Sequence, residues 1–250
     1  VYGIYELSKK IGVSPWYWWA DVTPAHRDAL YVPPERVKVG PPAVKYRGIF
    51  INDEMWGIRP WASQTFAPDE GLGLGPKTYA KIFELLLRLR ANYLWPAMHQ
   101  KTIPFNCYPQ NKVVADDYAI VMGSSHIEPL LRNNTSEWDT NKFGEYNYAS
   151  NRNAVLNYWE ERVRENGKFE SIYTLGMCGL DMAGVPDGGK APEQAKRLQQ
   201  VIADQRELLR RHANPNVAAV PQILLACREA MDLHLLAPDL PDDITLVWPD

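Results

Sequence analysis

The stretch Tyr79-Ala-Lys-Ile-Phe-Glu-Leu-Leu-Leu-Arg-Leu-Arg90, followed at once by Asn92-Tyr-Leu-Trp95, decides the fold class. The first run carries apolar residues at helical spacing, and Gly75-Pro76 marks its start, because proline suits the first turn of a helix. The second is a short run of strand formers. Upstream, Gly48-Ile-Phe-Ile-Asn52 has the same strand character. Downstream come Ala119-Ile-Val-Met-Gly123, Ser171-Ile-Tyr-Thr-Leu-Gly176, Val217-Ala-Ala-Val220 and Ile244-Thr-Leu-Val-Trp248. Helical patterns at 151–165 and 191–212 fall between several of these runs. Strand, loop and helix in alternation predict an α/β fold with a parallel sheet. Six such units extend from residue 48 to the last residue. A (β/α)8 barrel takes about 250 residues and carries its catalytic groups at the C-terminal strand ends. Polar residues end these strands, in Asn52-Asp53-Glu54, Ser124-Ser125-His126 and Asp250. That favours an incomplete (β/α)8 TIM-type barrel with about six of eight units. Counting leaves a doubly wound sheet open as the rival. If the barrel is right, two units are missing and the chain is a fragment at both ends.

Residues 1–45 follow another pattern. Val1–Ser8 reads as an amphipathic helix already in progress, with neither the charged start nor the cleavage site of a signal peptide. Residues 31–45 hold four prolines and a glycine, which suits a linker.

Composition narrows the function. The 250 residues are 46% hydrophobic and 23% charged, ordinary for a globular chain able to bury a core. Lys plus Arg is 27 against 30 Asp plus Glu, so no basic excess points to nucleic acid. No apolar run is long enough to span a membrane. Cys107, Cys178 and Cys227 are too few for a disulfide scaffold and lack the spacing of a metal site. The nine Trp and 13 Tyr, with Trp16, Trp18 and Trp19 almost adjacent, offer the flat apolar faces beside polar groups that sugars need, or serve as core filler.

Most motifs fail on inspection. Gly71-Leu-Gly-Leu-Gly-Pro76 matches neither a dinucleotide fingerprint nor a P-loop. His99 and His126 form no metal set, and His26, His212 and His234 fall on loops or helices, so neither metal nor cofactor is expected. The nucleophile elbow of serine hydrolases is absent, and Cys178 has no evident base. The carboxylates are more informative. Asp53 and Glu54, Asp181 and Glu229 each follow a strand run; singly, such residues more often cap helices or pair with cations. Converging on one barrel mouth with Trp nearby, they suit a glycosidase, which needs one protonated carboxyl for the leaving group and one carboxylate for water or carbon.

Longer strings carry a resemblance. Ile4-Tyr-Glu-Leu-Ser8, Ile11-Gly-Val-Ser-Pro-Trp-Tyr-Trp-Trp-Ala-Asp-Val22 and Lys45-Tyr-Arg-Gly-Ile-Phe-Ile-Asn-Asp-Glu54 come first, then Leu85-Leu-Leu-Arg-Leu-Arg-Ala-Asn-Tyr-Leu-Trp-Pro-Ala-Met98. Asp116-Asp-Tyr-Ala-Ile-Val-Met-Gly-Ser-Ser-His-Ile-Glu-Pro129, Thr174-Leu-Gly-Met177 and Pro241-Asp-Asp-Ile-Thr-Leu-Val-Trp248 complete an ordered series over nearly the whole chain. It resembles glycoside hydrolase family 115, the xylan α-1,2-glucuronidases. The resemblance implies removal of glucuronic acid, often 4-O-methylated, from glucuronoxylan or aldouronic acid oligosaccharides, with inversion and without a metal. It implies residues 1–40 as the end of an N-terminal α/β domain with its linker, and residues 41–250 as a partial catalytic barrel. By the same resemblance Asp181 is the general acid, and Glu229 or Asp53 the base that orients water. Glu6 joins the acidic cleft residues, and Asn52, Trp95, His126 and Asn151 contact the sugar. A secreted, extracellular protein follows from the substrate; the resemblance also allows a homodimer through regions outside this chain, so the oligomeric state stays open. The overlapping glycosylation sequons at Asn133 and Asn134 are compatible with secretion.

The strings depart from the family twice. Gly176-Met-Cys178-Gly-Leu-Asp181 has Cys where the family carries Arg, and is one residue shorter. Losing the guanidinium removes a fork suited to a carboxylate. Asp187 is a second candidate for the acid, and Cys227-Arg-Glu229 stands where an aromatic-Lys-Glu string is usual. The alternative reading is therefore a catalytically impaired or inactive sugar-binding fragment.

Overall fold

A computed structural model describes residues 1–53, 55–96, 102–178, 180, 191–225 and 240–248. Helix α1 (Tyr2–Lys10) opens the chain. Strand β1 (Gly48–Phe50) follows after an irregular, largely exposed stretch that contains the proline-rich residues. Then come α2 (Pro76–Arg88), β2 (Tyr93–Trp95), α3 (Pro109–Asp117), β3 (Val121–Met122), α4 (Arg152–Asn166), β4 (Tyr173–Thr174), α5 (Ala191–His212), β5 (Gln222–Leu225) and β6 (Thr245–Val247).

Among the described residues every strand pairing is parallel, and the pairings follow chain order. β1 pairs with β2 and β2 with β3; β4 pairs with β5 and β5 with β6. A parallel bridge from Met122 to Ser171 joins the two three-stranded sheets. Side chains alternate across the strands. On one face Leu94 and Met122 pack with Tyr79, Ile82, Phe83 and Leu86 of α2, and Tyr173 and Leu224 pack with α4 and α5. On the other face Tyr93, Trp95, Val121, Ile172, Ile223, Leu225 and Val247 meet one another in a cluster with no helix in it. Side chains from β2 through β6 therefore converge on one side, and the described long helices cover the other.

Local chemistry explains the elements. α2 begins with Pro76 at its first position, and the Glu70 carboxylate accepts the Lys77 N–H at 2.9 Å. Seven of its residues are buried, each large apolar one contributing about 1.5–3 kcal/mol, so packing rather than propensity holds it. The expected strand Val217-Ala-Ala-Val220 is instead a single 3-10 turn (Val217–Ala219), and β5 lies just beyond it. Four apolar residues have too little periodicity to choose, alanine is a poor strand former, and the Leu-rich run after Pro221 pairs with β4.

The N-terminal segment packs on α2. Tyr2, Tyr5 and Trp19 lie against its core cluster, Arg88 stands over the rings of Tyr5 and Tyr17, and Trp18 meets Trp61 and Phe66 edge-on. Part of the aromatic excess is thus ordinary packing, beside an open cleft of about 730 Å³.

Candidate active site

The C-terminal ends of the parallel strands gather the polar residues singled out in the sequence. After β1, Asn52 is exposed and Asp53 fully buried, its carboxylate accepting a hydrogen bond from Thr102 Oγ1. Trp95, the last residue of β2, is half-buried; its indole N–H donates to Tyr93 Oη, and its ring meets Phe50 edge-on at 5.9 Å. Burial pushes the Tyr93 hydroxyl far up, so it stays protonated. Gly123, just after β3, is required here, because a Cβ would fall 2.2 Å from Tyr93 Oη. Beyond it Ser124–Glu128 makes a compact loop with His126 half-buried.

After β4, Gly176 has φ +100°, a left-handed conformation that favours glycine. Its N–H donates to Gln205 Oε1 at 2.8 Å and its carbonyl accepts from Gln205 Nε2 at 2.7 Å. Cys178 is half-buried. Asp181 and Glu229, expected as acid and base, lie outside the described residues, as do Glu54 and Asp187. Asn151 precedes α4 and is half-buried; its side-chain amide donates to the carbonyls of Phe143 and Glu145 at 2.7 and 2.9 Å. It holds its own loop.

Glu6 is in the wrong place for the cleft. It pairs with Arg90 at 2.7 Å, in the turn that leads into β2, beside the Tyr2 hydroxyl bonded to the Ala91 carbonyl. These are the N-terminal ends of the strands, opposite Asp53. String similarity carries no information on which end of a strand a distant helix meets. Glu6→Gln is expected to leave any glycosidase rate within about twofold, because an exposed pair contributes little; a larger loss in steady-state assays would return Glu6 to the cleft. The sequon asparagines are also unsuited to modification: Asn133 and Asn134 are 3% and 1% exposed, and their side chains bond Ser136 N and the Ile127 carbonyl.

The sequence reading missed Glu128. Its carboxyl is 3% exposed, with Ser125 N–H and Oγ both bonded to Oε2 at 3.2 Å. Burial pushes it up to about 8; the Ser125 hydrogen bonds oppose this, and the charges of Glu137 and Asp53 add to the rise. Its only sequence signal is a carboxylate flanked by Ile127 on one side and Pro129-Leu-Leu131 on the other. An unfolded glutamate titrates near 4.3, so this group's stabilisation is complete below that pH and is lost as pH rises to about 8. Each pH step across that window lowers stability by up to about 1.4 kcal/mol. Denaturation from pH 5 to 8 should show this slope, and Glu128→Gln should flatten it; an unchanged slope in the Gln variant would refute the assignment.

Below the loop lies an ion network. Glu137 joins Arg132 at 2.7 Å and Arg162 at 2.5 Å, all three side chains being under a tenth exposed. Arg132 also bonds Glu161 at 2.7 Å and the Tyr158 carbonyl at 2.8 Å. Among the described residues no group of three or more His, Cys, Asp or Glu could hold a metal ion.

Residues 39–250 match the family model of Glycosyl hydrolase family 115. The chain belongs to that family. Among solved structures it resembles one described as "A novel family GH115 4-O-Methyl-alpha-glucuronidase, BtGH115A, with specificity for decorated arabinogalactans". The two are 44% identical, with a TM-score of 0.92, over 98% of this chain and 32% of that one. This family 115 chain thus spans about a third of the length of that structure. No curated protein matches it.

Proposed function

We propose that the chain carries much of the active site of an inverting α-glucuronidase that releases glucuronate, or its 4-O-methyl ether, from glucuronoxylan or aldouronic oligosaccharides. The observation that carries this reading is a buried carboxylate, Asp53, at the C-terminal end of β1 in a chain of family 115. We read the six strands as six of the eight units of a (β/α)8 barrel. Support comes from their pairing in chain order and from long helices on a single face, where a doubly wound sheet reverses its order and carries helices on both. Residues 41–250 would form this partial barrel, and residues 1–40 the end of a preceding domain and its linker. Extracellular action follows from a polymeric substrate.

Inversion needs two carboxyl groups about 6.5–9.5 Å apart, with water between the base and the sugar. In this reading Asp181, which follows β4, gives its proton to the glycosidic oxygen as the C–O bond breaks. Glu229, which follows β5, or Asp53 takes a proton from the water that attacks the anomeric carbon from the opposite face. The Trp95–Phe50 pair supplies an apolar surface for the sugar ring, and Asn52 and His126 supply hydrogen bonds to its hydroxyls. No step requires a cofactor. A second reading, sugar binding without turnover, is favoured by Cys178: a thiol replaces the guanidinium that would face the substrate carboxylate.

The test is release of glucuronate from glucuronoxylan and from glucuronate-decorated arabinogalactan, with the anomer of the first product followed by NMR. Glucuronate released from xylan as the β anomer supports the proposal. Release from arabinogalactan alone corrects the substrate. Binding of aldouronic acids without release from either polymer selects the second reading.

A further inference from the structure

Residues 120–134 are buried with one exception, His126. Burying a polar loop is costly unless its groups are satisfied, and between Ser124 and Glu128 they bond one another in a closed circuit. Ser125 donates twice to Glu128 Oε2, Glu128 N–H returns to the Ser125 carbonyl at 3.1 Å, and Ser124 Oγ donates to the Glu128 carbonyl at 2.6 Å. The Ile127 carbonyl is taken by Asn134 Nδ2 at 3.0 Å. Glu128 is therefore bound through side chain and main chain to the two residues that precede His126. Just after it, Leu130 and Leu131 have φ of +51° and +64°, left-handed conformations that large side chains avoid. Such strain persists only where the surroundings over-determine the backbone, and Arg132 does so through Glu137, Glu161 and the Tyr158 carbonyl. An apolar side chain would fill the Glu128 site without burying a carboxyl. Space-filling therefore does not account for it.

We propose that Glu128 is a positioning residue, which fixes the loop after β3 so that His126 is presented at the carboxyl end of the strands. The inference rests on the glucuronidase reading for its catalytic consequence, but not for its geometry. Gln can accept both Ser125 hydrogen bonds through its carbonyl oxygen; Leu can accept neither.

The experiment follows the His126 Cε1–H signal in protein labelled with 13C-histidine, assigned by its loss in His126→Asn, together with kcat and KM on an aldouronic acid. Glu128→Gln should leave the signal in place. Glu128→Leu and Ser125→Ala should shift it, with kcat falling about 10–100-fold in the Leu variant and recovering in the Gln one, since misplacement of about 1 Å can cost that much. If Glu128→Leu does not fold, Ser125→Ala carries the test alone. A His126 signal unmoved in folded Leu or Ala variants would overturn the proposal, whatever their stability. A shifted signal with no turnover in the unsubstituted protein would leave the positioning intact and remove the glucuronidase reading instead.

Discussion

Asp53→Asn is expected to lower kcat for glucuronate release by about 10²–10⁴-fold, the usual contribution of a proton-transferring carboxylate. The substitution is nearly isosteric. The Asn side-chain oxygen can still accept from Thr102 Oγ1, so the buried site stays filled and hydrogen-bonded. What disappears is the negative charge and the capacity to take a proton. KM should change little; the side chain keeps its volume, but the amide puts two N–H donors where a buried carboxylate oxygen stood, so a modest fall in melting temperature of a few degrees is expected beside the kinetic loss. Steady-state kinetics on an aldouronic trisaccharide, with thermal unfolding as control, checks this. A rate within about threefold of the unsubstituted protein would take Asp53 out of the chemistry and leave the base role to Glu229.

The largest effect on stability should come from Glu137→Ala. Glu137 is the one carboxylate between Arg132 and Arg162, whose side chains are 8% and 4% exposed. Deleting it leaves two buried guanidinium groups side by side, with the half-exposed Glu161 and Glu165 as their carboxylate partners. Breaking a buried pair in this way costs about 3–5 kcal/mol, far more than the pair itself contributes. The Asn133 N–H also loses its acceptor, which sits at 2.9 Å. Since Arg132 holds the strained Leu130–Leu131 backbone, the damage should spread to the loop carrying His126. Urea unfolding of Glu137→Ala should show the loss. Glu137→Gln, which keeps the shape and one of the two acceptor oxygens but no charge, should fall between. A change below about 1 kcal/mol in the Ala variant would mean that Glu161 and Glu165 compensate both arginines without help.

The helices with long apolar stripes were legible in the sequence because their signals are local, whereas α3, with few buried residues, was not read. α2 and α5 have long apolar stripes with clear starts, and 191–212 is the α5 range itself. Parallel pairing followed from alternation. The strand at Val217 was misread because a short apolar run has no periodicity to consult, and proline two residues beyond the turn redirected the pairing. At the site, Asn52, Asp53, Trp95 and His126 were legible as polar or aromatic residues ending strand runs, and the structure does set them at those ends. Glu128 was not, since nothing in a Ser-Ser-His-Ile-Glu-Pro string tells a solvated carboxylate from one that shares a small enclosed space with Pro96, Phe105 and Leu131. Burial depends on what a fold brings over a residue, and that comes from far along the chain. Glu6 failed for the same reason in reverse: it matched as a string, yet its helix meets the opposite end of the sheet.

The grip of Gln205 on Gly176 makes one point in the chain immovable. Gln205, wholly buried on α5, takes the place of a neighbouring strand by engaging both polar groups of a single peptide residue. Like a nail through a cord, it separates lengths on its two sides. Sliding β4 by one residue would break both of these bonds at once, so its register against β5 is fixed from the helix side as well as by the strand ladder. A change in chain length after Gly176 would leave that register where it is.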